Sequence, residues 1–312
     1  MALAGIGEAG QARLAACRVL VVGAGGLGAP VLLALAGAGI GHLTVLDHDR
    51  VELSNLHRQP LFRMADLGRP KAEAAREALL AYNPEIAVRA IVARLGPDNA
   101  ALVEGADIVV DAADSLATTY VLSDVCLAAG LPLVSAAVLE QRGHVGAFCG
   151  GAPSYRAVFP DMPSVAGSCA ENGVLGSATG VLGSLQAHMV LQLALGAAPS
   201  PLGRLVSVDL QRFAFGGFGF AGTPEPDAAI PFISQADLRP ADLLVELRDL
   251  AEAPDPVLPG MLRALPAEIE AGLPLPEGRR IVLHCRSGLR AHRIARLLQS
   301  RDGRDVAVLE GT

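Results

Sequence analysis

Residues 18–40 read RVLVVGAGGLGAPVLLALAGAGI, a short β-branched apolar run, a loop crowded with glycines, and an apolar run of helical length. Both flanking runs are apolar on every side, so each must be covered all round. A strand covered on both faces belongs in a parallel sheet with helices above and below it. The alternation continues through HLTVLD, KAEAAREALLAY, IAVRAIVAR, ADIVVDAAD, a helical stretch at 120–129 and LPLVSAAV. It predicts an α/β fold built on a doubly wound, mostly parallel sheet. A further helix, LQAHMVLQLALG, is expected to begin only after Gly183, followed by the strand RLVSVDL and the aromatic run RFAFGGFGF.

The 312 residues are enough for two domains. A segment starting AGTPEPDA (221–228) reads as a linker between a first domain, 1–220, and a smaller α/β unit, 229–312, whose strands would be LLVEL, RIVLH and DVAVLE. A net charge of −7 argues against a broad nucleic-acid-binding surface. The five cysteines are odd in number and none forms a C-x-x-C pair, which points to a reducing, cytoplasmic setting without a disulfide framework. No export signal is visible at the N-terminus. The uncharged stretches 19–41 and 173–203 are broken by glycine and proline and read as buried segments rather than membrane spans.

Gly23, Gly25 and Gly28 have G-x-G-x-x-G spacing between a strand and a helix, and Asp47 closes the next strand. Such a loop lets the backbone approach a phosphate at a helix N-terminus while the acid accepts ribose hydroxyls. By itself this Rossmann-like pattern fits any dinucleotide site. Asn55, Arg58, Gln59 and Lys71 follow, a set of cationic and amide donors that suits a triphosphate better than a hydride-carrying dinucleotide.

GAGGLG, LDHDRVELSNLHRQ, GRPKAEAA and VVDAADS together resemble the adenylating domain of the MoeB, ThiF and HesA family, relatives of ubiquitin-activating enzymes, from about Gly5 to Val208. The resemblance implies that the C-terminal Gly-Gly carboxylate of a small β-grasp sulfur-carrier protein attacks the α-phosphate of ATP. It places Gly26 on the phosphates, Asp47 on the ribose, Arg58 and Lys71 on the triphosphate and Asp114 on magnesium. Read singly, Arg58 and Lys71 also fit solvated surface charges, and Asp114 a helix N-cap. Asp111 reads as a strand-end residue behind the site, and His42, His48 and His57 as surface residues without metal-like partners. The chain departs from the family in three places. It lacks an initial Arg-Tyr-x-Arg segment, whose arginine in relatives reaches the ATP of the other subunit of a homodimer. Ser154-Tyr155-Arg156-Ala157 stands where a zinc-binding C-x-x-C would be, so no zinc is expected. Asp114-Ser115 replaces Asp-Asn.

Two thiols have candidate roles. Cys169 lies in PSVAGSCAENGVLGSATG, which matches the family's crossover loop, and it fits either a reactive thiol or a small buried hydrophobe. Cys285 stands between a strand and a helix in IVLHCRSGLR, where backbone N–H groups and Arg286 and Arg290 would stabilise a thiolate and make it a ready nucleophile. A cysteine phosphatase would need C-x-x-x-x-x-R, but Arg290 is one position too early. The loop of Cys285, Arg286, Ser287, Gly288 and Arg290 instead resembles the persulfide loop of rhodanese domains, with Glu246-Leu247-Arg248 as a variant of their Asp-x-Arg motif. The joint expectation is adenylylation followed by sulfur transfer to a thiocarboxylate, with ATP and magnesium as cofactors and a donor such as a cysteine desulfurase. A non-catalytic docking relative and a nicotinamide-dependent oxidoreductase are the rival readings.

Overall fold

The computed structural model describes residues 6–162 and 173–310. The first unit runs α1 (Gly7–Ala16), β1 (Arg18–Val22), α2 (Gly28–Ala38), β2 (His42–Leu46), α3 (Lys71–Tyr82), β3 (Ala87–Ile91), β4 (Ile108–Asp111), α4 (Leu116–Ala129), β5 (Pro132–Leu139), β6 (Arg142–Cys149), α5 (Tyr155–Val158), α6 (Gly176–Leu195), β7 (Arg204–Asp209) and β8 (Ala214–Gly219). Its eight strands form one sheet in the order β3-β2-β1-β4-β5-β6-β7-β8. The first five are parallel, and β6, β7 and β8 continue antiparallel. Val19 to Val22 and all of β4 are buried, as their unbroken apolar character requires. The strand order reverses between β1 and β4, so their C-terminal ends open a crevice where α/β folds bind ligands.

Helix α6 starts at Gly176, well before the expected point after Gly183. The glycines that read as breakers serve close packing: a Cβ on Gly183 would lie 2.5 Å from Pro30 Cγ and 2.8 Å from the Leu27 carbonyl oxygen. Among the described residues α6 is the one helix long and apolar enough to cross a membrane, and here it lies against α2, β5 and β6.

The second unit comprises β9 (Phe232–Ile233), β10 (Leu243–Glu246), β11 (Leu262–Arg263), α7 (Pro266–Glu270), β12 (Ile281–His284), α8 (Leu289–Asp302) and β13 (Val306–Leu309). Its strands form an all-parallel sheet in the order β11-β10-β12-β13-β9. One apolar cluster runs through both units, with Tyr120 and Val121 of α4 packed among Phe232, Cys285 and Ile294. Tyr120 is the hub, its ring centroid 6.3 Å from Phe232 and 5.7 Å from His292. Arg296 of α8 reaches back to the first unit, pairing with Asp161 at 2.8 Å and donating to the Pro160 carbonyl at 2.8 Å.

Candidate active site

Gly23 leaves β1 with φ +97°, a conformation that only glycine adopts without strain. A Cβ there would sit 2.5 Å from the Ala112 carbonyl oxygen, and one on Gly28 would overlap the Gly23 carbonyl. The turn is therefore pressed between the ends of β1 and β4 and delivers the start of α2 into the crevice. Asp47 is buried beside it and accepts from the N–H groups of Ala24 (2.7 Å) and Asp49 (2.8 Å).

The segment after β2 folds back over the glycines. Gln59 is buried with its Nε2 3.7 Å from where a Gly25 Cβ would be, and Arg58 Cδ stands 3.6 Å from the corresponding point on Gly26. Gln59 donates to Asn55 Oδ1 at 3.3 Å, while its Oε1 has no partner. Thr179 of α6 closes the same corner, 3.0 Å from the Gly26 position. Lys71 opens α3 and is buried rather than solvated. Its Nζ donates to Asp49 Oδ2 at 2.8 Å. Sequence reasoning passed over Asp49; the signal was the second acid of DHD, aimed at Lys71 by the turn after β2. Burial alone would raise the Asp49 carboxyl, but the Lys71 ammonium outweighs this and holds it below the ordinary carboxylate range.

His48 lies between these two acids, with Nε2 3.3 Å from Asp49 Oδ1. One donor atom from each of Asp47, His48 and Asp49 falls within 4.8 Å of the others, which corrects the expectation that His48 has no metal-like neighbours. His57 Nε2 is 2.9 Å from Arg58 Nη1. Asp114 is exposed in the turn after β4, and Ser115 rather than Asp114 caps α4. Its carboxylate has no partner among the described residues, a donor chemistry that fits a hard, oxygen-seeking cation such as magnesium. Asp111, fully buried at the end of β4, accepts from Thr119 Oγ1 and Ser135 Oγ, both at 2.7 Å. Burial drives its carboxyl up to about 6, against these hydrogen bonds, which pull the other way.

Where the sequence lacks a zinc-type cysteine pair, Ser154 donates from its N–H (2.7 Å) and Oγ (2.5 Å) to the two oxygens of Glu225 in the linker. Arg156 pairs with both oxygens of Asp124 (2.6 and 2.8 Å), its guanidinium carbon 4.6 Å from the centroid of the Tyr120 ring.

The second candidate centre differs from expectation in two respects. Cys285 follows β12 directly but is only 2% exposed, because the second unit packs its loop against α4 and Phe232. Arg290 does not add free positive charge: Glu252 takes both of its terminal nitrogens, at 2.7 and 2.5 Å. Arg248 is matched in the same way by buried Glu246. Arg286 and Ser287 are exposed, Gly288 takes φ +77°, and the Ala291 N–H points at Cys285 Sγ at 3.4 Å. Burial pushes the Cys17 thiol up to about 11 and Cys149 to about 12, and raises Cys126 as well, so those three are poor nucleophiles. Cys169 lies outside the described residues.

A profile of the ThiF family matches residues 1–227. The chain belongs to the ThiF family. It is 43% identical over 217 residues to the adenylyltransferase and sulfurtransferase MOCS3 of Culex quinquefasciatus, a match covering 68% of this chain and 50% of that protein. It therefore spans about half the length of that relative. The SAMP-activating enzyme E1 of Haloferax volcanii is 40% identical over 70% of this chain and 83% of its own length. The probable adenylyltransferase/sulfurtransferase MoeZ of Mycobacterium tuberculosis is 32% identical over 98% of this chain and 88% of its own. Among solved structures, the microcin C7 biosynthetic enzyme MccB in complex with N-formylated MccA aligns with a TM-score of 0.63 at 24% identity, covering 69% of this chain and 67% of that one, a likeness of fold.

Proposed function

We propose that the chain adenylylates the C-terminal Gly-Gly carboxylate of a β-grasp sulfur carrier and passes it sulfur from a persulfide on Cys285. The observation that carries the first step is the convergence of the Gly25–Gly26 backbone, Arg58, Gln59 and the Lys71–Asp49 pair beside Asp47 at the open end of β1 and β4. In this reading Gly23, Gly25, Gly26 and Gly28 cradle the phosphates, Asp47 takes the ribose, and Asn55 and Gln59 add amide donors. Lys71 exchanges Asp49 for the triphosphate, Arg58 neutralises it, and Asp114 holds magnesium. The carrier carboxylate attacks the α-phosphorus and pyrophosphate leaves. Because that nucleophile is already ionised, positioning and charge neutralisation are the whole of the protein's task.

The terminal sulfur of the Cys285 persulfide then attacks the acyl carbon, a C–S bond forms and AMP departs. A thiol, either Cys169 or a small dithiol, attacks Cys285 Sγ and releases the carrier thiocarboxylate, leaving a disulfide that a dithiol reduces. Residues 1–220 serve the first chemistry and 229–312, a rhodanese-like domain, the second, with 221–228 as linker. The setting is cytoplasmic, the enzyme a homodimer, the donor a cysteine desulfurase. This reading invokes no zinc, because the sequence carries no C-x-x-C pair to hold it. The test is carrier-stimulated ATP–pyrophosphate exchange, expected to fall at least ~100-fold in Lys71→Ala. Unchanged exchange in that variant would remove the triphosphate assignment.

A further inference from the structure

The two chemistries proposed above must exchange an intermediate, and the packing of the two units says where. Gly288, at the head of α8, lies against the first turn of α4: a Cβ built on it stands 3.5 Å from the Ala117 Cβ and 3.0 Å from Phe232 Cε1. Ala117 follows Asp114 closely, and three residues of chain reach at most ~10 Å. The sulfur loop is thus docked beside the magnesium-facing turn of the adenylating unit. In this arrangement Cys285 is buried and faces the interior of the chain, so a donor protein has no access to it.

Three further contacts hold the dock closed. Arg296 binds Asp161 and the Pro160 carbonyl, each at 2.8 Å, and the Ala228 carbonyl at 3.4 Å. Tyr120 packs its ring on Phe232 and His292, which stack on each other at 6.0 Å. Arg94, beyond β3, stands 3.7 Å from Glu310 at the end of β13, and its charge also acts on Asp49, the partner of Lys71. Arg94 therefore pairs with the second unit while its charge favours the ionised form of Asp49. The Arg296–Asp161 pair joins the two units and can be reversed by charge exchange without changing a residue assigned to either centre.

Resting on the function proposed above, we infer that this interface is the sulfur hand-off surface: Cys285 is loaded by the donor when the units part, and delivers its sulfur to the adenylate of the same chain when Arg296 re-clasps Asp161. A persulfide extends the side chain by one S–S bond, about 2 Å. Closure keeps that sulfur and the hydrolysable adenylate away from water while they react.

The test uses the full chain as wild type, Arg296→Glu, Asp161→Arg and the double exchange. Carrier-stimulated pyrophosphate exchange reads the first unit and should be the same in all four. Loading of Cys285 by a cysteine desulfurase, read by intact mass, should be ~10-fold faster in each single variant, because the thiol is uncovered. Thiocarboxylate formation on the carrier should fall ~10-fold or more in the singles and return in the double exchange. Singles that load no faster, or that make thiocarboxylate at the wild-type rate, overturn the inference. A second arm does not depend on the clasp: mixing Lys71→Ala with Cys285→Ala should yield no thiocarboxylate beyond the two alone, and recovery of activity would mean transfer between chains and refute delivery within one. Absence of exchange or of loading in the wild type itself would instead refute the function on which the inference rests.

Discussion

Asp111 offers the sharpest physical test of the first unit. Its carboxyl is fully buried, two hydroxyls and the Ala113 N–H point at it, and burial lifts it to about 6 from an ordinary value of about 3.9. Between these two values the folded chain holds a proton that the unfolded chain has released. Stability therefore falls as pH rises from about 4 to about 6, and stays level above, by on the order of 3 kcal/mol from this group alone. Asp111→Asn mimics the protonated form. Its amide oxygen can accept from Ala113 N–H while its NH2 faces the hydroxyls of Thr119 and Ser135, and Thr119 Oγ1 has the Ser115 carbonyl, 3.3 Å away, as another acceptor. Urea unfolding of both proteins at several values between pH 4 and 7.5 isolates the term, because every other titrating group cancels in the difference. The variant should gain on the wild type by roughly 3 kcal/mol across pH 4 to 6 and hold that gain above. A difference that is flat with pH to within ~0.5 kcal/mol would show that the carboxylate is solvated well enough to ionise normally, and the packing described around it would be wrong.

Gly28→Ala should cost about 1–3 kcal/mol and abolish ATP binding by calorimetry, since its Cβ collides with the Gly23 carbonyl, a backbone atom that cannot swing aside. Arg156→Met leaves Asp124 unpaired and strips the cation from the Tyr120 ring; with Asp124 partly exposed, a loss of about 2 kcal/mol in urea unfolding is expected. His292 is buried between Tyr120 and Phe232 with its Nε2 unpartnered, and burial, with Arg156 and Arg296 assisting, pushes it down to about 4. The unfolded imidazole takes up its proton first, so the wild type should lose roughly 3 kcal/mol as pH falls from about 6.5 to about 4, and His292→Phe should remove that loss in melts over the same range.

What the sequence disclosed was local. The strand–glycine–helix turn was legible because a backbone pressed between two strand ends admits only glycine at Gly23 and Gly28 and so leaves a dense mark over a short stretch. Asp49 was not, since an acid at the end of a strand has no distinguishing pattern until its lysine partner is folded next to it. The start of α6 was misplaced because propensity treats glycine as a breaker, whereas Gly183 answers to Pro30 on another helix. Around Cys285 the loop itself could be read, but its covering by α4 and the neutralisation of Arg290 by Glu252 depend on residues distant in sequence that meet only after the units dock.

The bond between Ser154 and Glu225 also sets the length of a leash. Phe220 and Phe232 bracket the connection between the two sheets, but with Glu225 held by two hydrogen bonds, Ile230 buried and the Pro231 carbonyl accepting from the Val308 N–H, the free chain shrinks to residues 226–229, which reach at most ~14 Å when fully extended. A unit released from its dock on so short a tether still samples the interface at millimolar or higher effective concentration. In the opening inferred above, reassociation would then need little intrinsic affinity, and the Arg296 clasp would need to supply little of it.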